Sequence, residues 1–271
     1  VSATATVPRD ARVTWWRVVH SEWVKFRSLR SPLIMLAAAV VVLVGLGVVF
    51  STVLADQSPQ PAGPLPPGAP SSLDPLGVSL GGVNLAQLLV GTLGVLLMTG
   101  EYATGMIRAS LAAVPTRLPV LWGKALVLGG VCLAVLVPAV LLAFGAGQAV
   151  LGDDGLSLGD DGVLRAVLGS AFYLAGVGVL GLALGALLRT TAGAITTLVA
   201  VLLVAPGLTG LLPEDVSDAV GPYLPSNAGD AFTSLTGGGD LLSPGAGLAV
   251  FVGWLAVLLT AAALTLARRD A

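Results

Sequence analysis

The chain has 271 residues, of which 55% are apolar and only 10% charged, with a net charge of −2. Soluble domains carry about 25% charged residues, so this balance excludes a soluble fold and leaves an integral membrane protein. No basic tail or aromatic-basic interleaving suits nucleic acid, and the single cysteine, Cys132, excludes an intrachain disulfide and reads as a small buried hydrophobe.

Residues 1–31 form a polar, aromatic and basic lead-in, too long for the charged start of a cleavable signal, so the first span is expected to serve as an uncleaved anchor. Within it, "RDARVTWWRVVHSEWVKFRSLRSP" puts Trp16, Val19, Trp23 and Phe26 on one helical face, with Arg17, Ser21, Lys25 and Ser28 opposite. Trp16, Trp23 and Phe26 are thereby predicted to anchor an amphipathic interfacial helix, rings at headgroup depth and cations towards lipid phosphate. Pro32 permits a turn into the first span. His20, the sole histidine, cannot hold a metal alone.

The remainder, 32–271, is read as one membrane domain of six spans, at roughly 32–54, 77–100, 120–151, 163–188, 191–212 and 246–267. Each approaches the about 20 apolar residues that cross a bilayer. The second is the weakest, because Asn84 and Gln87 lie inside it, and Arg189 and Thr190 alone separate the fourth from the fifth. With the N-terminus inside, every Lys and Arg except Arg165 falls on the inner side, and every acid except Asp10, Glu22, Glu101 and Asp270 falls outside. This asymmetry predicts that both termini and the link after the second span are cytoplasmic. The first outer loop, rich in Pro, Gly and Ser, is expected to be irregular, while the segment 213–245 is compatible with short helices at the outer interface.

No Asp, Glu, Lys, Arg or His occupies the middle of a span. Ion and proton paths usually carry such a group, so a gradient-coupled carrier is disfavoured. Polarity comes from Asn84 and Gln87 on one face, Gln148, and the threonines at 190–191 and 196–197, read either as interhelical hydrogen bonds or as the lining of a path. Gly77 with Gly81, and Gly181 with Gly185, form two small-xxx-small pairs suited to close helix approach, and Pro206, Gly207 and Gly210 should break or kink the fifth span. Catalytic sets are missing. The Gly123–Lys124 pair is followed by Ala125, and Leu118 stands at the earlier glycine position, so the chain has no phosphate-cradling loop. This chain is therefore expected to bind no cofactor and to be no enzyme.

Between the second and third spans lies a polar island, "GEYATGMIRASLAAVPTR". Ile107, Leu111 and Val114 follow 4 and 3 spacing, and Pro115 ends the run after about two turns. A lone helix of that length is marginal in water, so either its own span ends or a partner's groove must hold it.

Three segments resemble the permease subunit of bacterial type-2 ABC exporters, especially the actinomycete kind: "SEWVKFRSLRSP", "GEYATGMIRASLAAVPTRLPVLWGKAL", and "LGALLRTTAGAITTLVAVLLVAPGL" with its downstream "YLPSNAG". The resemblance implies an all-α, six-span protein of the bacterial plasma membrane that docks an ATP-binding subunit through a short cytoplasmic coupling helix. Glu101, Thr104, Gly105 and Arg108 would start that helix, Ile107 and Leu111 would face the partner or the bundle, and Pro115, Arg117 and Lys124 would form its exit. Two permeases, identical or related, would pair in the lipid around a path lined by Asn84, Gln87, Thr196 and Thr197. The competing expectation is a non-transporting membrane anchor or assembly subunit.

Overall fold

The structure is a computed structural model and describes residues 14–56, 75–106, 118–211, 213–235 and 242–268. The described residues are mostly helical, with no strand among them. In chain order, an amphipathic helix α1 (Trp15–Ser28) leads into α2 (Arg30–Asp56). A one-turn α3 (Pro75–Ser79) precedes α4 (Val83–Ala103), followed by α5 (Leu118–Leu151), α6 (Val163–Leu188) and α7 (Thr191–Thr209). Two short helices, α8 (Glu214–Val220) and α9 (Pro225–Thr233), occupy the last long connection before α10 (Pro244–Arg268). Six helices, α2, α4, α5, α6, α7 and α10, are long and apolar enough to cross a membrane, as expected of a multi-pass membrane protein. Helix α1, the end of α4, the start of α5, Arg189 and the end of α10 share one end of the bundle, the basic end.

Helix α6 is the axis of the bundle. Of its most apolar window, 78% is buried, against 17% to 50% in the other five. Small residues explain this. With no hydrophobic force separating one apolar helix from lipid, association depends on close packing, which small side chains permit. A Cβ added at Gly94 would land on the carbonyl oxygen of Gly178, and one at Gly181 on that of Gly91, so α4 and α6 touch backbone to backbone. Gly185 continues the contact against Met98 and Val95, and Gly176 receives the ring of Phe251 from α10.

The other predicted glycine pair, Gly77 with Gly81, does not form. Gly77 lies in α3 and Gly81 in the turn after it, so they share no continuous helix, and α4 starts later than the span drawn from composition. The close approach to α2 is made instead by Gly47, against Ser79, and by Gly82, against Leu43. Gln148 of α5 pins α3, donating to the Pro75 carbonyl at 3.1 Å and to the Ser79 hydroxyl at 3.0 Å. It also accepts from the Leu156 amide at 2.6 Å.

Helix α7 carries a π-helical segment, Ala200–Val204, immediately before Pro206. A proline lacks an N–H and its ring clashes with the carbonyl four residues back; the wider π turn relieves both demands without ending the helix. The expected break is thus a local widening. Short helices do occupy part of 213–245, and the ring of Phe232 on α9 meets Tyr173 of α6 edge-on at 6.4 Å.

Candidate functional site

The site is built where α4 ends. Thr104 caps the helix, its N–H bonded to the Gly100 carbonyl at 3.1 Å, and Gly105 turns the chain with φ +70. That left-handed conformation strongly favours glycine and is a common way to close a helix. Glu101 and Thr104 therefore belong to the closing turn of α4, which corrects their placement at the start of a following helix, and Gly105 is the hinge after it. Ile107, Arg108, Leu111, Pro115 and Arg117 lie outside the described residues.

Glu101 is buried and points into the protein. Its Oε1 accepts from Lys124 Nζ of α5 at 2.8 Å and from Lys25 Nζ of α1 at 3.0 Å. Both lysines also bind Glu22 of α1, Lys25 at 2.7 Å through Oε1 and Lys124 at 2.5 Å through Oε2. Two lysines and two glutamates thus close a ring joining three helices. Glu22, Glu101 and Lys124 are buried, while the Lys25 side chain keeps 28% of its surface exposed. Burial acts to lower the Lys25 pKa, but its bond to Glu22 and the neighbouring carboxylate charges prevail and raise it above the ordinary lysine value. It remains a cation throughout the physiological range. Lys124, predicted to lie in the exit from the link, instead sits inside α5 as a buried member of this ring.

The neighbouring residues of the same turn grip the other side. The Arg189 guanidinium lies over the Tyr102 ring, 5.3 Å from its centroid, and Arg189 itself is held at φ 57 in the α6–α7 turn. Such a stacked cation is attracted by the ring's quadrupole. Thr191, at the start of α7, donates to the Thr99 hydroxyl at 2.9 Å. The final turn of α4 is therefore bonded to α1 and α5 through one face and to the α6–α7 turn and α7 through another.

Helix α1 docks along α5, where Gly123 makes room for Val18 and Val19. Its buried stripe is Val18, Glu22 and Phe26, spaced by four. The predicted apolar face is thus split: Phe26 packs inside the protein and is no interfacial anchor, whereas Trp16 and Trp23 stay exposed, Trp16 at 74%. Glu22 was legible as an acid placed on the stripe between Val18 and Phe26, and it was missed because the tryptophans drew the face towards themselves.

The predicted path residues differ in burial. Gln87 is buried and accepts from the Tyr173 hydroxyl at 2.5 Å, while its amide donates to the Asn84 carbonyl at 3.1 Å. Asn84 and Thr196 are exposed and Thr197 half-buried. Asn84 lies at the start of α4, at the end opposite the basic one, and Thr196 near the basic start of α7, so their exposed groups sit at different depths. Among the described residues, no group of His, Cys, Asp and Glu could hold a metal.

No protein-family model and no curated protein matches the chain.

Proposed function

We propose that this chain is the transmembrane permease subunit of an ATP-driven exporter of the bacterial plasma membrane, coupled to a separate ATPase through the link that follows α4. The observation that carries this reading is the hub at the end of α4. Whatever pushes on Gly105 and the chain beyond it acts at once on α1 through Lys25, on α5 through Lys124, and on the α6–α7 turn through Tyr102 and Arg189. A motor that closes on one short link needs such a junction, because rigid helices tied by discrete contacts pass a local displacement across the bundle.

The sequence supports the same reading. The chain carries no phosphate-cradling motif. Its spans lack the central ionisable groups of a gradient-driven carrier. An external source of energy fits both, with ATP and Mg bound by the partner. Two copies of the chain, or this chain and a related one, would enclose the path, with exposed Asn84 and Thr196 as the side chains offered to it; Gln87 is committed to Tyr173.

The test is purification of the tagged full-length chain from its native membranes. An ATP-hydrolysing subunit is expected to accompany it. Gly105→Pro is the informative variant, since proline cannot take φ +70, whereas Glu101→Ala would also dismantle the ion ring. Gly105→Pro should weaken ATPase retention by about tenfold or more, equivalent to about 1.4 kcal/mol of docking free energy, with helical content unchanged. Undiminished retention, or a chain that brings no ATPase, overturns the proposal.

A further inference from the structure

Beside the ion ring, between α1, α2, α4 and α5, lies a cavity of about 240 Å³. It is larger than the roughly 150 Å³ apolar cavities that take up benzene. Its walls are apolar, including Phe26, Pro32, Met35, Leu93 and Val127, and Glu22, Lys25, Glu101 and Lys124 form its polar end. Leu29, Leu96 and Met106 also line it and are exposed, with Ser31 and Thr104 beside them, so its mouth is largely apolar. An opening of that kind admits a lipid chain more readily than an aqueous solute.

The polar end selects the head. Both lysines are engaged with Glu22 and Glu101. Glu101 is more than nine-tenths buried, and its Oε2 accepts no hydrogen bond among the described residues. An unsatisfied buried carboxylate oxygen is costly, and it can be satisfied only by a donor. Glu101 lines the cavity, so a donor that enters it comes within reach of this carboxylate.

We propose that this cavity binds a membrane amphiphile with a primary-ammonium head, one hydrocarbon chain entering between α2 and α4 and the ammonium donating to Glu101. A head of this kind forms a charge-assisted hydrogen bond, stronger than the one a neutral hydroxyl could offer. Since the ring it touches joins α1, α4 and α5, occupancy fixes the junction on which the preceding proposal depends, although the site itself requires no ATPase.

The experiment uses the purified full-length chain in bilayer discs containing equal amounts of dioleoyl phosphatidylethanolamine and dioleoyl phosphatidylglycerol. Lipids retained after extraction are counted by native mass spectrometry, and a phosphatidylethanolamine with a photoreactive chain maps the site. The amine lipid should be retained in excess, with crosslinks to 29–35 or 93–100. Gly100 lines the cavity, and a Cβ added there meets nothing within 4 Å, so Gly100→Leu should fill the space and abolish those crosslinks while the helical content and melting are kept. Glu101→Gln should bring retention of the two lipids to parity and leave the chain crosslinks in place. Equal retention by the wild-type chain, preference for the glycerol lipid, no retained lipid, or crosslinks that survive Gly100→Leu would each overturn the proposal. None of these results depends on whether an ATPase docks.

Discussion

Lys124 shows what a single residue can decide in this fold. A lysine six residues into an apolar helix costs solvation that only strong partners recover, and here both partners are carboxylates from other helices. Removing one member of a buried ion set leaves the others uncompensated, a loss of about 3–5 kcal/mol. Lys124→Met should therefore destabilise the protein by that amount in denaturant titration, with Glu22 and Glu101 left to share Lys25. Lys124→Met combined with Glu22→Gln should recover part of the loss, because one lysine then faces one carboxylate. A double variant whose loss equals the sum of the single losses would show that the two side chains do not interact. The pairing was hidden in the sequence because its members are separated by up to 102 positions. The visible trace was that Glu22 and Glu101 are acids on the side that otherwise collects cations.

At the scale of elements, the α4–α6 contact is decided by glycines. Gly94 lies against a backbone carbonyl of α6, and a carbonyl within a helix cannot swing aside as a flexible side chain can. Gly94→Leu should force the helices apart, exceed the about 1–3 kcal/mol typical of overpacking, and abolish accumulation of folded protein. Gly129→Ala is the control, since its nearest neighbour beyond the added Cβ is the Val179 side chain at 3.6 Å, an ordinary contact; its melting temperature should stay near that of the wild type. The spans themselves were readable because hydropathy over a helix length is a property of consecutive residues. Gly181 and Gly185 were readable for the same reason, being one turn apart on one helix. Gly94, Gly91 and Gly178 were not singled out, because a glycine's use depends on which helix lies opposite, and that is a matter of packing rather than period. The end of α4 was misread for a related reason: Glu101 and Tyr102 look like loop residues until Lys124 offsets the burial of the first and Arg189 covers the ring of the second.

The whole molecule has a charge axis. The described basic end carries α1 with Arg17, Lys25 and Arg27, Arg30 at the start of α2, and Arg189 and Arg268, while Asp153, Asp160, Asp161, Glu214, Asp215 and Asp218 belong to the connections at the other end. Lysine and arginine resist translocation, whereas acids contribute little to orientation, so the basic end should face the cytoplasm. Cys132 makes this directly measurable: it is the only cysteine and is fully buried, so an impermeant maleimide should leave the wild-type chain unlabelled. Asp161 and His20 are both exposed, one at each end. In intact spheroplasts, Asp161→Cys should label and His20→Cys should not, with His20→Cys reacting only after permeabilisation. The reverse pattern would place the end of α4 outside the cell, away from ATP, and would remove the motor from the proposed function while leaving the fold and its ion ring untouched. Labelling of both in intact spheroplasts would mean that the population inserts in two orientations, and the twelve basic side chains assigned to one side would then carry no topological information.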